Sequence, residues 1–300
     1  MKITVNELTE RLKNINYSNY SQAGRWIYEF YQDGEKLTKT KLENIIQRLT
    51  YGEPLQYILG EWDFYGMTFY VGKGVLCPRP ETELLAEIGI AHMQTYSGNM
   101  TPSVFDLCAG TGCLGMAIQH NYPAVSNLVV MENSEPAVKY LKKNIKRHYP
   151  KFKVGKNSLS GRNPEYFNIE IEQMNEDVLV FAKDLGLDEE TAYDINCYLM
   201  VSNPPYLTYE ETKAATSVSS SLFHEPLKAL YGGVDGNDFY PAIVGDYSSF
   251  LCDGGMMLLE VGSTRQAEFV AGLMEKDFVN VIIHKDLSGN DRAVSGIRKA

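Results

Sequence analysis

An α/β fold on a seven-stranded, mostly parallel, Rossmann-like sheet follows from three features of this 300-residue sequence. Apolar runs at 103–107, 128–131, about 169–174, 198–202, 256–261, 279–284 and 291–297 alternate with segments of helical spacing. Such alternation over roughly two hundred residues buries both faces of a parallel sheet under helices. The last two runs are separated only by Lys285 to Asn290, too short for a crossover helix, so they pair antiparallel and one strand is reversed. A small-residue loop, Asp106-Leu-Cys-Ala-Gly-Thr-Gly112, sits directly behind the first run. Glycines there let the chain turn sharply and approach a ligand.

Ahead of the sheet the spacing predicts a small helical module. Leu8, Leu12 and Ile15 fit one helix, and Trp26, Ile27 and Phe30 a second. Leu42, Ile45, Ile46 and Leu49 fit a third, which Gly52 and Pro54 close. Their role is packing. Trp62, Phe64, Met67, Phe69 and Val71 surround Tyr65-Gly66, the pattern of a short hairpin. Gly72 and Gly74 loosen the chain, Cys77-Pro-Arg-Pro80 stiffens it, and Thr82 starts a helix to about Met93. The expected division is therefore 1–60 helical, 61–81 hairpin and linker, and 82–300 the α/β domain. Lys151 to Tyr166 and Asp184 to Asp194 read as polar insertions, and Ser217 to Ser221 as a loop.

Composition narrows the class. Apolar content of 44% with 22% charged residues describes a globular chain. No apolar stretch approaches a membrane span, and Met1 to Glu10 is too polar for a secretory signal. Five cysteines, odd in number and without a C-x-x-C pair, suggest free thiols in a reducing cytoplasm, and no metal is expected. Net charge is −10: residues 1–75 carry nine Lys/Arg and nine Asp/Glu, leaving 19 and 29 for the rest. That balance disfavours direct nucleic-acid binding and gives no sign of a membrane partner. The basic run Lys139 to Arg147 reads as the solvated face of a helix.

Two motifs carry chemistry. Asn203-Pro204-Pro205-Tyr206 follows the apolar run Tyr198 to Ser202. Two prolines cannot extend a central strand, so they end it and hold the backbone stiff. A planar –NH2 group fits there, donating to the Asn203 side-chain oxygen and the Pro204 carbonyl, with Tyr206 over its flat face. A rigid turn after a buried strand is the plain alternative. The second motif is the loop after 103–107, leading into the helical pattern Cys113 to Ile118. Glu132 ends the next run, Leu128 to Met131, where an acid accepts both ribose hydroxyls of a nucleoside cofactor. Gly110-Thr-Gly-Cys-Leu-Gly115 also matches the dinucleotide fingerprint of a dehydrogenase. Asp106, placed to order the glycine turn or meet a cationic amino-acid tail, favours S-adenosylmethionine instead. So does the lack of an obvious dehydrogenase acid/base pair, and Asn-Pro-Pro-Tyr has no role in hydride transfer.

Taken together the motifs resemble the HemK-type family of protein-(glutamine-N5) methyltransferases that act on peptide chain release factors. Gly52-Glu-Pro-Leu-Gln-Tyr-Ile-Leu-Gly60, Pro78-Arg-Pro-Glu-Thr-Glu83, Asp106 to Gly112 and Asn203 to Tyr206 are similar to that family's motifs. So are Phe223-His-Glu-Pro-Leu-Lys-Ala-Leu230 and Gly289-Asn-Asp-Arg292. The likeness covers most of the chain from about Gly52 onward. It implies a class I methyltransferase domain, a substrate-recognising N-terminal module, S-adenosyl-L-methionine as donor and S-adenosyl-L-homocysteine as product. It also implies cofactor contacts at Asp106, Cys108, Ala109, Gly110, Thr111, Gly112, Glu132, Asp177, Val178 and Asn203, with Asp177 following a strand at Ile169 to Met174. Asn203, Pro204, Pro205 and Tyr206 would be catalytic and bind the glutamine. Cys108-Ala109 stands where the family has Gly-Thr, which removes a hydroxyl contact. Two rivals remain: an adenine N6-methyltransferase acting on nucleic acid, whose target is also a planar –NH2, and a non-catalytic protein of the same fold.

Overall fold

The computed structural model describes residues 3–32, 36–98, 102–125, 127–150, 165–167, 197–217 and 222–299. Four helices open the chain: α1 (Val5–Asn14), α2 (Tyr20–Phe30), α3 (Lys39–Thr50) and α4 (Leu55–Leu59). Thr4 and Thr38 cap the first and third by accepting from backbone N–H groups three residues on. Leu8, Leu12, Ile27, Leu42, Ile45, Leu49 and Leu55 form their common core. The fourth helix lies inside the Gly52–Gly60 motif, whose five helical residues are too few to show a period.

The hairpin follows as expected, β1 (Glu61–Phe64) against β2 (Met67–Tyr70). Tyr65 and Gly66 both have positive φ, 47° and 77°, the geometry a two-residue hairpin turn requires. Trp62 packs edge-on against Trp26 at 4.8 Å, tying the hairpin to the helices. A 3₁₀ turn at Pro80–Thr82 leads into α5 (Glu83–Met93).

Among the described residues the main sheet has seven strands: β3 (Ser103–Leu107), β4 (Asn127–Met131), β5 (Glu165–Phe167), β6 (Cys197–Ser202), β7 (Leu251–Glu260), β8 (Phe278–Lys285) and β9 (Asp291–Arg298). Their order is β5-β4-β3-β6-β7-β9-β8, with β9 antiparallel to both neighbours. Among the described residues, helices α6 (Cys113–Asn121), α7 (Glu135–His148), α8 (Tyr209–Ala215), α9 (Phe239–Asp246) and α10 (Thr264–Met274) flank these strands. Period-two alternation sends Phe105, Leu107, Met200 and Leu259 to one face, against Tyr240, Ile243 and Val270. Val104, Leu199, Val201 and Leu258 face the other way, onto Leu85, Leu114, Ile118 and Leu141.

Three expectations change. The outer strand is Glu165–Phe167, within the stretch read as an insertion from 151 to 166, whereas 169–174 lies outside the described residues. A three-residue edge strand takes its register from β4, Val129 opposite Glu165, and carries no alternation of its own. The stretch 184–194 and residues 218–221 also lie outside the described residues. β7 begins five residues before the predicted run, since Gly254 and Gly255 interrupt its apolar pattern where the pairing with β6 shifts register. The Lys139 to Arg147 run is on α7, its lysines exposed as expected, but Asn144 within it is fully buried. Asn144 accepts from the Tyr70 N–H and donates to the carbonyls of Tyr70 and Thr111, joining hairpin, helix and glycine loop.

A second buried link ties α4 to the α/β domain. The Tyr57 hydroxyl shares its proton between the Val75 carbonyl at 2.6 Å and Glu225 at 2.8 Å. Glu225, 5% exposed, also accepts from the Cys77 N–H and from Arg79 at 3.0 Å. Tyr57→Phe leaves those acceptors one donor short. Chemical denaturation is expected to show a loss of about 1–3 kcal/mol; an unchanged midpoint would mean water replaces the hydroxyl freely.

Candidate active site

The register of four parallel strands assembles the site. β3 pairs with β4 and β6, and β6 with β7, so that Met131, Leu107, Ser202 and Leu259 lie on one rung. The next residue of each strand is Glu132, Cys108, Asn203 and Glu260. All four therefore leave the sheet at the same edge. Strand order reverses between β3 and β6, the point where open α/β sheets leave a crevice at their carboxyl ends.

The loop after β3 has positive φ at Cys108, Gly110 and Gly112 (58°, 56° and 79°). Cys108 is the one non-glycine of the three, so the departure from Gly-Thr bears on the backbone as well as on the missing hydroxyl. A Cβ on Gly112, the residue that caps α6, would lie 2.6 Å from Leu141 and 2.8 Å from Met116. Asp106, 1% exposed, accepts the Gly115 N–H at 2.8 Å and so fixes the start of α6. Burial pushes its carboxyl up to about 7; the Gly115 N–H opposes this and the charge of Glu132 adds to it. Glu132 is 7% exposed and accepts the N–H groups of Gly110 and Ser134, each at 2.8 Å. Burial raises its pKa too, against those N–H groups and the positive charge of Lys228. Burial also raises the Cys108 and Cys113 thiols, keeping both protonated.

Two clefts meet here. The first has about 780 Å³ of open space. Asp106, Cys108, Ala109, Gly110, Thr111, Glu132 and Asn203 all line it, together with Pro205 and the linker from Gly74 to Arg79. The second, about 670 Å³, is lined by Tyr206, Leu207, Leu222, Glu260 and Arg292 among others. Leu76, Arg79, Asn203 and Ala229 belong to both walls. Asn203 thus stands between the clefts. Pro204 is buried and lines neither, and Gly112 sits behind the first as the cap of α6. Asp177 and Val178 lie outside the described residues.

Several residues at the site escape the sequence reading. Asn203 donates its side-chain N–H to the Thr82 hydroxyl at 3.0 Å, and Thr82 donates to Glu260 at 2.6 Å. Tyr206 donates to the other Glu260 oxygen at 3.2 Å, so its ring stands against Gly262 with its hydroxyl turned inward. Burial pushes Glu260 up to about 7; Thr82, Arg292 and Tyr206 hold it down and Glu81 raises it. The available signal was an acid closing a buried apolar run, the same one that marked Glu132. The Asn-Pro-Pro-Tyr loop is held from outside as well. Leu207 N–H donates to the Leu230 carbonyl, Gly232 N–H to the Leu207 carbonyl, and Gln266 to the Tyr206 carbonyl.

Residues 82–171 match the family described as Methyltransferase small domain. The chain is 32% identical over 274 residues to the release factor glutamine methyltransferase of Thermodesulfovibrio yellowstonii, covering 89% of this chain and 85% of that one. It is 30% identical over 289 residues to the release factor glutamine methyltransferase of Streptococcus pneumoniae, covering 94% and 87%. Among solved structures it is similar to the human methyltransferase 10 domain containing protein. The TM-score is 0.53 at 12% identity, over 78% of this chain and 89% of that one. That is a likeness of fold.

The loop's packing can be tested with a single methyl group. A Cβ on Gly232 would lie 2.6 Å from the Pro205 carbonyl oxygen and 2.7 Å from the Tyr206 Cα, both backbone atoms. Gly232→Ala is expected to cost about 1–3 kcal/mol in thermal or chemical unfolding. Gly245→Ala, in α9 with nothing within 4 Å, is expected to stabilise by up to about 1 kcal/mol. Equal effects at the two positions would contradict the close approach.

Proposed function

The chain belongs to the release factor glutamine methyltransferases, and on that premise we propose how its two clefts divide the work. The first holds S-adenosyl-L-methionine and the second admits a glutamine side chain from the Gly-Gly-Gln motif of a peptide chain release factor. The S–CH3 bond breaks as a bond forms to the glutamine amide nitrogen, N5; the nitrogen then loses one proton to solvent and S-adenosyl-L-homocysteine leaves. The observation that carries this division is Asn203 in the wall common to both clefts.

The residues present fit the cofactor. Glu132 is a buried carboxylate held by two N–H groups, with lone pairs left for two ribose hydroxyls. Asp106 is a buried acid in the same wall, and a cationic amino-acid tail nearby would favour its ionised form. Cys108, Ala109, Gly110 and Thr111 line the cleft between them. Asp177 and Val178 remain proposed neighbours of the adenine. When bound, S-adenosylmethionine supplies a sulfonium methyl group as electrophile.

The protein's own contribution is positioning. A glutamine amide is a weak nucleophile because its lone pair is delocalised, on the scale of the roughly 18–20 kcal/mol rotation barrier. Asn203 Oδ1 accepts one amide N–H, while Pro205 and Tyr206 wall the site; the Pro204 carbonyl, the expected second acceptor, belongs to a residue that lines neither cleft in this structure. Acceptors fixed in advance stabilise the positive charge that grows on nitrogen. Correct alignment of two reactants supplies about 7–11 kcal/mol, more than one hydrogen bond. The helical module of residues 1–60, joined by 61–81 to the 82–300 domain, is proposed to grip the release factor. The five free cysteines fit a reducing cytoplasm. An adenine amino group has the same shape as the target, but an adenine methyltransferase would need a base-reading surface. The balanced Arg79, Arg292, Glu81 and Glu260 around the second cleft do not suggest one.

Labelled methyl is expected to pass from the cofactor to purified release factor, and replacing the Gly-Gly-Gln glutamine with alanine is expected to abolish it. Equal labelling of that variant would overturn the substrate assignment. Asn203→Ala is expected to lower kcat by about 10²–10³, the scale seen for a lost preorganised polar contact, with cofactor affinity reduced far less. Unaltered turnover would remove Asn203 from the chemistry.

A further inference from the structure

An asparagine side chain is an acceptor on one side and a double donor on the other. Its value to an amide substrate depends on which side faces the cleft. If Asn203 turned its NH2 group toward a substrate –NH2, two donors would meet and repel. Nothing in the asparagine itself decides the matter.

Its neighbours do. Thr82 is 3% exposed and Glu260 1% exposed. The hydroxyl of Thr82 has one proton, and at 2.6 Å from Glu260 Oε2 that proton is committed to the carboxylate. Only the lone pairs of Thr82 Oγ1 remain for Asn203, so Asn203 must present Nδ2–H to it, at 3.0 Å. Oδ1 is then the atom left for the substrate. The other Glu260 oxygen accepts from Tyr206, and Tyr240 donates to the Glu260 main-chain carbonyl at 3.1 Å, which fixes the residue.

We propose that Glu260 and Thr82 are positioning residues that set the polarity of the Asn203 amide, so that its oxygen faces the methyl acceptor. This deepens the proposed function and rests on it for the identity of the substrate. The lock is directional: a proton on Glu260 Oε2 makes the carboxyl the donor and Thr82 the acceptor. The Thr82 proton is then released from the carboxylate and free to turn toward Asn203, and an amide rotated to accept it offers NH2 to the cleft. The charged and titratable groups facing Glu260 are Arg292 on β9, Glu81 in the turn before α5, Tyr206, and Tyr240 on α9. The balance of these with burial leaves the carboxyl near neutrality. Ionisation switches the lock on as pH rises.

The test compares wild type with Thr82→Ser, Thr82→Val and Glu260→Gln, using release factor as substrate and S-adenosylhomocysteine as the calorimetric probe of the cofactor cleft. Thr82→Ser keeps the relay and is expected to retain kcat within about threefold, whereas Thr82→Val is expected to lose about 30-fold or more. Thr82 itself lines the first cleft, so S-adenosylhomocysteine affinity is measured beside kcat, and in Thr82→Val the loss in kcat should exceed the loss in affinity by about tenfold or more. Wild-type kcat should rise with pH through about 7, and Glu260→Gln should lack that limb. In the substrate-free ¹⁵N-labelled protein, the Asn203 NH2 signals should show one slowly exchanging proton at high pH. That protection should be lost in Thr82→Val. A Thr82→Val enzyme with wild-type kcat and pH profile, or a Thr82→Ser enzyme as impaired as Thr82→Val, would overturn the proposal. Wild type that labels no release factor would sink the substrate reading alone, and the amide signals would still decide the lock.

Discussion

The pairing register of β4, β3, β6 and β7 is the constraint on which the site depends. Four residues spread from 108 to 260 reach one edge because Met131, Leu107, Ser202 and Leu259 share a rung. A slip of one residue in any of these strands would exchange its buried face for the opposite one. Met200, Met257 and Leu259 would then leave the core they share with Tyr240 and Ile243. Core packing and site geometry are therefore one specification. The hydrophobic alternation that buries these strands also delivers Glu132, Cys108, Asn203 and Glu260 together.

That edge concentrates carboxyls in a poorly solvated place. Asp106, Glu132 and Glu260 are each less than a tenth exposed, and burial raises all three. An acid kept out of water must be given donors. Asp106 takes its donor from a backbone N–H at the start of α6, and Glu132 takes its donors from the glycine loop and the start of α7. Glu260 takes side-chain hydroxyls, from Thr82 and Tyr206. The difference has consequences. Backbone donors cannot reverse, so Asp106 and Glu132 anchor the loop, whereas a hydroxyl can exchange its role and pass orientation on to a neighbour. Glu225 applies the same rule away from the edge, joining Tyr57, Cys77 and Arg79.

Much of this was legible in the sequence because it rests on local rules. Uninterrupted apolar runs marked β3, β4 and β6, and the brief gap at Lys285–Asn290 marked the antiparallel pair. Tyr65-Gly66 marked the hairpin, and Asn203 with Glu132 marked strand ends. The parts that were not legible depend on partners far away in the chain. The five helical residues of α4 take their place from Tyr57 bonding to Glu225, 168 residues on. Thr82 looked like a helix start, and only its contact with Glu260, 178 residues away, gives its hydroxyl a direction. Asn144 was hidden inside a basic run, though its spacing from Leu141 and Val138 put it on the apolar face. β5 reads as the end of an insertion because its three residues take their register from β4 and are too few to show a period of their own.

The central claim is that one asparagine, held in one orientation, joins the donor cleft to the acceptor cleft. The most direct measurement is a crystal structure with a bisubstrate ligand in which a glutamine amide nitrogen is tethered to an adenosyl group. The adenosyl part should lie beside Glu132, with the amide N–H donating to Asn203 Oδ1 while Asn203 Nδ2 stays on Thr82. An amide lodged away from Asn203, or an Asn203 bound with its oxygen on Thr82, would contradict the account.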